Sequence, residues 1–348
     1  MRVLGIETSC DETSAAVLDG TGDDVSLESL VILSQDVHRV FGGVVPEIAS
    51  RAHLTAIVPV VERALADAGD GRIDAVAVTN APGLVGALLV GVSYAKAFAY
   101  ARGVPVIGVH HMEGHLFATA LEHPAAVPPF TALLVSGGHT LLLDVEAWGR
   151  YRLLGRTRDD AAGEAYDKVA KLLGLPYPGG PHVERLAAMS DAGRLRFARP
   201  MLRRDQRPED SEFYDVSFSG LKTAVLNAVT KSRAGNGNGE ADRGAIARAF
   251  QDALVETLVE KTNRAARQYG RGRVVLGGGV AGNATLVSAM RERLALRGVE
   301  IFAPSPRLAT DNAAMIARAG LFHLERGERA SLDLNAYASQ PIPGVVAA

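Results

Sequence analysis

His111 and His115 lie in the run Val109-His110-His111-Met112-Glu113-Gly114-His115-Leu116-Phe117. On a helix this spacing sets both imidazoles on one face, one turn apart. Two neutral imidazoles aimed at one point make half of a metal site. The chain has 9 His in 348 residues, and three of them fall in this run. The run follows a strand-like segment, 104–109, and strand C-terminal ends are where α/β sheets gather ligands. A third, acidic ligand is then expected at another strand end. Asp311 fits, because it follows the last strand-like segment and opens the last helix; a helix N-cap is its other reading, and both can hold. Two His and one carboxylate with open positions suit Fe(II), and Zn(II) tolerates them. A pair of partly exposed helix histidines with no ligand is the plain alternative. A zinc-protease motif is excluded, since it needs Glu directly after the first His and Met112 stands there.

Glycine-rich turns form a second group. Ser136-Gly137-Gly138-His139 joins two strand-like segments, and Gly277-Gly278-Gly279-Val280-Ala281-Gly282-Asn283 follows a third and opens a helix. Glycines there let backbone N–H groups approach a phosphate closely. Each alone reads as a structural turn; the two together, at strand ends of one lobe, favour a nucleotide. Neither G-x-x-x-x-G-K-[ST] nor a strand-linked G-x-G-x-x-G occurs, which excludes a P-loop and argues against a dinucleotide fold. A third group is Gly163-Glu164-Ala165-Tyr166-Asp167-Lys168, followed by Tyr177-Pro178-Gly179-Gly180-Pro181. Asp167 falls on a helix and reads equally as a solvated face residue, while the rigid Pro-Gly-Gly-Pro turn exposes backbone to a sugar or base. Near the N-terminus, Glu7, Asp11 and Glu12 share one turn, where a carboxylate is a base, an orienting group or a turn cap.

The elements that must position these residues repeat. Strand-like segments 3–6, 15–18 and 27–33 precede a helix over 47–68, a strand over 73–78, a helix over 85–101 and a strand over 104–109. After Pro128-Pro129 the order recurs: strands 130–135, 140–145 and 151–154, then helices including 245–269, strand 274–276, helix 284–296, strand 299–302 and helix 312–326. This predicts a duplicated α/β fold with lobes 1–128 and 129–348, a ligand cleft between them, and an extreme C-terminus free to pack on the first lobe. Insertions are expected near 191–207, which holds six arginines, and 232–242, a Gly/Asn-rich surface loop. The single cysteine, Cys10, rules out an internal disulfide framework and fits a reducing, cytoplasmic setting. No apolar run is long enough to span a bilayer, and the opening residues run at once into Glu7, unlike a signal peptide. The net charge of -2 gives no global attraction to nucleic acid. Any such contact needs a local patch, and 191–207 is the dense basic run, with a solvated loop as its alternative.

Seven blocks in order carry a resemblance over nearly the whole chain: Gly5-Ile6-Glu7-Thr8-Ser9-Cys10-Asp11-Glu12-Thr13, Val45-Pro46-Glu47-Ile48-Ala49-Ser50-Arg51-Ala52-His53, the His-rich helix, Ser136-Gly137-Gly138-His139-Thr140, Tyr177-Pro178-Gly179-Gly180-Pro181, Phe218-Ser219-Gly220-Leu221-Lys222-Thr223, and 277–283. Together they resemble the tRNA N6-adenosine threonylcarbamoyltransferase (TsaD) family, of the bacterial type, once described as glycoprotein endopeptidases. The resemblance implies an actin-like ATPase fold and metal ligation by His111, His115 and Asp311. It implies substrate contacts at Leu134, Val135, Ser136, Gly137, Gly138, Asp167, Gly180 and Asn283. Glu184 stands where the family usually has Asp, keeping the charge on a longer side chain. The resemblance implies transfer of threonylcarbamoyl from threonylcarbamoyl-AMP to a tRNA adenosine, with Fe(2+) favoured and Zn(2+) the alternative. Asp11 is a candidate base or phosphate-side group. The implied partners are tRNA, a paralogue (TsaB) and a small ATPase (TsaE), with no membrane.

Three rival readings remain at this level. An actin-fold carbamoyl- or acyl-phosphate kinase shares the duplication but has no need of the His pair. A non-catalytic scaffold paralogue is expected to lack the metal triad. A metalloprotease lacks its Glu here.

Overall fold

The computed structural model describes residues 1–234 and 239–347. The apolar runs Arg2–Glu7 and Ala75–Ala81 form strands buried on both faces, as strands sandwiched by helices require, whereas the strand Asp24–Ser34 is partly exposed. In order the elements are β1 (Arg2–Glu7), β2 (Glu12–Thr21), β3 (Asp24–Ser34), α1 (Pro46–Asp67), β4 (Ala75–Ala81), α2 (Val85–Arg102), β5 (Val106–His110) and α3 (His111–Ala118). They build a five-stranded sheet of order β3-β2-β1-β4-β5, antiparallel from β3 to β1 and parallel from β1 to β5. The second set is β6 (Phe130–Val135), β7 (Thr140–Ala147), β8 (Arg150–Arg156), α4 (Ala162–Leu172), α5 (Gly179–Ala188), α6 (Ser219–Ala234), α7 (Gly239–Gln268), β9 (Arg273–Gly277), α8 (Ala284–Ala295) and β10 (Glu300–Phe302). Its sheet order, β10-β9-β6-β7-β8, repeats the first, with β11 (Val345–Ala347) added parallel to β8. The expected duplication is therefore present. The last two helices are α9 (Pro306–Ala309) and α10 (Ala313–Glu325).

By backbone contacts the chain forms two units, Met1–Ala125 with Pro304–Pro343, and Ala126–Ala303 with Gly344–Ala348. The repeat order assigns the last long helix to the second copy, whereas α10 packs on the first sheet, over β1, β2 and β4. The reason is close fit. A Cβ on Gly5 of β1 would lie 2.2 Å from Ala313 O and 2.9 Å from Ala317 Cβ, so glycine lets this helix seat on this strand. Every residue from Ala313 to Leu321 is buried, which marks a core helix without saying whose core.

Each unit has its own apolar centre. Leu4, Val17, Val61, Val76 and Leu88 are among the residues that fill the first, and Tyr166, Phe218, Phe250, Leu258 and Met290 the second. Truncating one such side chain to Ala typically costs about 2–5 kcal/mol. The 191–207 segment has no regular element. Of the loop expected over 232–242, residues 235–238 lie outside the described residues, and the flanks continue α6 and α7.

Candidate metal centre and substrate contacts

In the first unit, β5 ends at His110 and α3 begins at His111, so the His pair starts a helix at a strand end as expected. The rings stack edge to face with centroids 4.8 Å apart. Gly114, between them in sequence, lies against Ile316 and Met315 of α10, and this close approach of α3 to α10 brings Asp311 to both rings. Asp311 Oδ1 is 3.4 Å from His111 Nε2 and 3.4 Å from His115 Nε2. The capping alternative for Asp311 is met by its neighbour: Asn312 is the N-cap of α10, its side chain accepting from Met315 N, and the Asp311 carboxylate stays with the histidines.

His111, His115 and Asp311 form a group that could hold a metal ion, with ligand atoms all within 4.8 Å of one another. The fit is testable on the polar atoms. Both ring nitrogens of His115 are buried without a hydrogen-bond partner, a costly state that a metal at Nε2 relieves. A separation of 3.4 Å is also the edge of a tetrahedron whose corners lie about 2.1 Å from its centre, the usual metal–imidazole distance. Asp311 keeps a side-chain exposure of 21%, which leaves one flank of the group open.

Electrostatics match. Burial opposes charge on Asp311, but His111 and His115 outweigh it and hold the carboxyl well below the usual range. Burial keeps His115 below the ordinary imidazole value, hence neutral and able to ligate. Burial disfavours the His111 cation, yet Asp311 and Glu7 push it well above its ordinary value. Burial, then Asp11 and Asp311, pushes the Cys10 thiol far up, leaving no thiolate for chemistry.

Asp11 sits in the turn between β1 and β2 beside Glu12. Burial, Asp311 and Asp11 raise the Glu12 carboxyl well above its usual range, and Asp11 hydrogen-bonds it. His53, on α1, braces this turn. Its Nε2–H donates to Cys10 O at 2.9 Å, so Nδ1 accepts from Thr13 Oγ1 at 2.8 Å. Sequence reading placed His53 in a family block without a role; only the tertiary contact gives it one.

In the second unit, Leu134 and Val135 are fully buried at the end of β6, so neither side chain presents a surface to a ligand. Ser136 N–H donates to His139 O at 2.9 Å and is committed to the turn, so the backbone N–H groups that could approach a phosphate narrow to those of Gly137 and Gly138. A Cβ on either glycine would meet nothing within 4 Å; the protein's own packing gives no reason for glycine there. The same holds for Gly180, whereas a Cβ on Gly179 would lie 2.5 Å from Ala170 Cβ. Asp167 is no idle surface carboxylate, since it accepts from Gly179 N–H at 2.6 Å and fixes the Pro-Gly-Gly-Pro turn. Asn283 caps α8 through Oδ1, accepting from Leu286 N–H at 2.8 Å, while Nδ2 has only long contacts of 3.5 Å to Tyr166 Oη and Gln251 Oε1. Glu184 accepts from Thr285 N–H at 3.2 Å. Tyr166 and Gln251 back this cluster, and neither was singled out from sequence; apolar helix periodicity hides both.

Solved structures share this fold. T. kodakarensis HypF aligns with TM-score 0.59 at 14% identity, over 93% of this chain and 48% of that one. Full-length HypF in a phosphate- and nucleotide-bound form aligns at 0.57 and 13%, over 93% and 56%. Component A of the Acidaminococcus fermentans (R)-2-hydroxyglutaryl-CoA dehydratase aligns at 0.52 and 16%, over 92% and 97%. Fold and site thus define the class as an actin-like ATPase fold carrying a His–His–Asp group able to hold a metal. The TsaD family profile, tRNA N6-adenosine threonylcarbamoyltransferase, matches residues 26–318. The Gemmatimonas aurantiaca tRNA N6-adenosine threonylcarbamoyltransferase is 66% identical over 99% of this chain and 98% of its own, and that of Anaeromyxobacter sp. (strain Fw109-5) is 52% identical over 97% and 98%. The chain belongs to the TsaD family of tRNA-modifying transferases, and the kinase and scaffold alternatives are not favoured.

Proposed function

We propose that the chain transfers a threonylcarbamoyl group from threonylcarbamoyl-AMP to the N6 amine of the adenosine 3' of the anticodon, in tRNAs reading codons that begin with A. The amine attacks the carbamoyl carbon, the bond from that carbon to the phosphate oxygen breaks, and AMP leaves. The observation that carries the metal part is the buried, unpartnered His115 beside His111 and Asp311. Those three residues would hold Fe(2+), favoured by the two-His, one-carboxylate donor set, with Zn(2+) the alternative. When bound, the metal supplies Lewis-acid polarisation and a fixed docking point for the threonylcarbamoyl group.

The remaining work falls to the chain's own groups. Gly137 and Gly138 N–H groups face the phosphate or the developing oxyanion, with the Leu134 and Val135 backbone beside them. Asn283 Nδ2 donates to the nucleoside, Asp167 holds the turn that presents Gly180, and Glu184 braces the start of α8. Asp11 accepts the amine proton. No helix among the described residues is long and apolar enough to cross a membrane, and the reaction belongs with tRNA in the cytoplasm, assisted by the TsaB paralogue and the TsaE ATPase.

The test is incubation with threonylcarbamoyl-AMP and tRNA, with and without metal and both partners. Formation of the modified adenosine with equimolar AMP is expected; none under any condition rejects the reading.

A further inference from the structure

A buried carboxylate needs a partner that compensates its charge, and Glu7 finds one in the imidazole of a metal-ligand candidate. It is fully buried at the end of β1, and its one ion-pair contact among the described residues is His111 Nδ1 at 3.1 Å from Oε2. Its other partners are neutral donors: the Thr79 hydroxyl at 2.6 Å on Oε2 and the Ser9 backbone N–H on Oε1. Ser9 Oγ also lies 3.1 Å from His111 Nδ1. With Nδ1–H donating to the carboxylate, Nε2 is the nitrogen that faces Asp311, 3.4 Å away. His115 has no carboxylate behind it, its Nδ1 being buried without a hydrogen-bond partner, and meets only Asp311, at Nε2. One imidazole of the pair is therefore oriented from behind by a charge, and the other is not.

We propose that Glu7 is the positioning residue of this centre: it holds the proton of His111 on Nδ1, so that a divalent cation can take the place of a proton at Nε2 while the pairing behind the ring is kept. The inference rests on the metal reading of His111, His115 and Asp311. A carboxylate behind a ligating imidazole sets the ring's orientation and raises the basicity of the ligating nitrogen. Two carboxylates, Glu7 and Asp311, then match the charge of one dication. The competing role is a cap for the turn after β1, which the Ser9 N–H bond alone satisfies. The two roles differ in what metal does to them. A cap contributes the same stability with and without metal, whereas a positioning carboxylate adds to the stability gained when the cation binds.

The experiment uses the full chain, stripped of metal, with zinc as the probe. Glu7→Gln keeps the shape but removes the charge. Its amide NH2, turned to the ring, forces Nδ1 to accept and moves the ring proton to Nε2, where the ligand lone pair must be. We expect zinc affinity to fall about 10- to 100-fold and the zinc-induced rise in Tm to shrink. Thr79→Val retains the charge and the bond to His111 Nδ1, and is expected to change zinc affinity much less than Glu7→Gln does. In the zinc-loaded wild type, the His111 imidazole 15N shifts should report protonated Nδ1. Zinc affinity of Glu7→Gln near that of the wild type, or a lower metal-free Tm with an unchanged zinc-induced rise, overturns the proposal. His111→Ala separates the two readings. If His111→Ala loses zinc and Glu7→Gln does not, only the role of Glu7 falls. If His111→Ala still binds zinc as wild type does, the metal site falls and this inference with it.

Discussion

The two units carry the same strand order but present different groups at their strand ends. In Met1–Ala125 with Pro304–Pro343, the groups are ionisable side chains: His111, His115 and Asp311, with Glu7, Asp11 and Glu12 behind or beside them. In Ala126–Ala303, they are backbone and amide: Gly137, Gly138, Gly180 and Asn283, with Asp167 and Glu184 turned inward onto N–H groups. Side-chain charge suits a metal ion, which needs deprotonated donors at fixed distance. Bare backbone N–H suits a phosphate or carbonyl oxygen, which needs close approach and no competing side chain. Duplication supplied one scaffold twice, and the strand ends were fitted out separately.

The sharpest break between the units is expected from removing one group of each kind. Asp311→Asn should abolish metal retention and lower kcat by more than the roughly 100-fold that outer partners carry, with metal content as the readout. Asn283→Ala should leave metal content unchanged, raise KM for threonylcarbamoyl-AMP, and cost about 1 kcal/mol of stability through loss of the α8 cap. Loss of metal in Asn283→Ala would erase the division.

A glycine pair sharpens the second unit. Gly138→Ala adds a Cβ that meets nothing within 4 Å, so stability should move by less than about 0.5 kcal/mol while KM rises. Gly179→Ala drives a Cβ to 2.5 Å from Ala170 Cβ and should cost about 1–3 kcal/mol. Thermal unfolding and steady-state kinetics together decide it. An unchanged KM in Gly138→Ala would remove the ligand role of the turn.

Much of this was legible in the chain. The order of apolar runs announced the duplication, and the i,i+4 spacing after a strand announced the His pair. What was hidden depends on strand adjacency. Glu7, Thr79 and His111 are 72 and 104 residues apart in pairs with Glu7, and only the order β1-β4-β5 puts them side by side. The destination of α10 was hidden for a related reason, because a helix buried on all sides carries no stripe to say which sheet it meets. Ser136 shows the same limit: its N–H is committed within a turn whose closure the residue types do not reveal.

The units should also respond oppositely to pH. His323, in the first, is disfavoured as a cation by burial but raised above its ordinary 6.5 by Glu113 and Glu328. Its folded value is above the unfolded one, so its stabilisation is full below 6.5 and fades as pH rises through the folded value. Lys261, in the second, is pushed down to about 8 by burial and then Arg264, from an ordinary 10.5. There the unfolded chain binds more protons between about 8 and about 10.5, so stability rises with pH across that window. His323→Gln should lose most stability at pH 6, and Lys261→Met should flatten the slope above pH 8. Both are read from unfolding midpoints across pH, and slopes of the same sign would contradict the assignment.

The smallest effect is expected at the arginine segment. As a sequence it reads as a basic run for tRNA, but the structure tempers that. Arg199 pairs with Glu256 at 2.6 Å and Arg203 lies 3.7 Å from Asp205. Over 191–212 six arginines stand against five acids, which leaves little net field for a polyanion. The segment is nonetheless held firmly. Lys261 Nζ donates to the carbonyls of Met201, Glu212 and Phe213 at 2.6, 2.6 and 2.9 Å, and Arg264 donates to Gln206 Oε1 and Arg203 O. Two cations of α7 thus draw its polar backbone inward, while Arg203, Arg204 and Arg207 stay exposed. Such a platform can place single arginines against phosphates without a strong field. Charge reversal of Arg203 and Arg204 together should weaken tRNA affinity only a few-fold at moderate salt and lower the salt slope by about one unit per lost phosphate contact. An unchanged slope with unchanged affinity would return the segment to an ordinary solvated loop, and a loss of a hundredfold or more would make the second unit, like the first, a site built on charge.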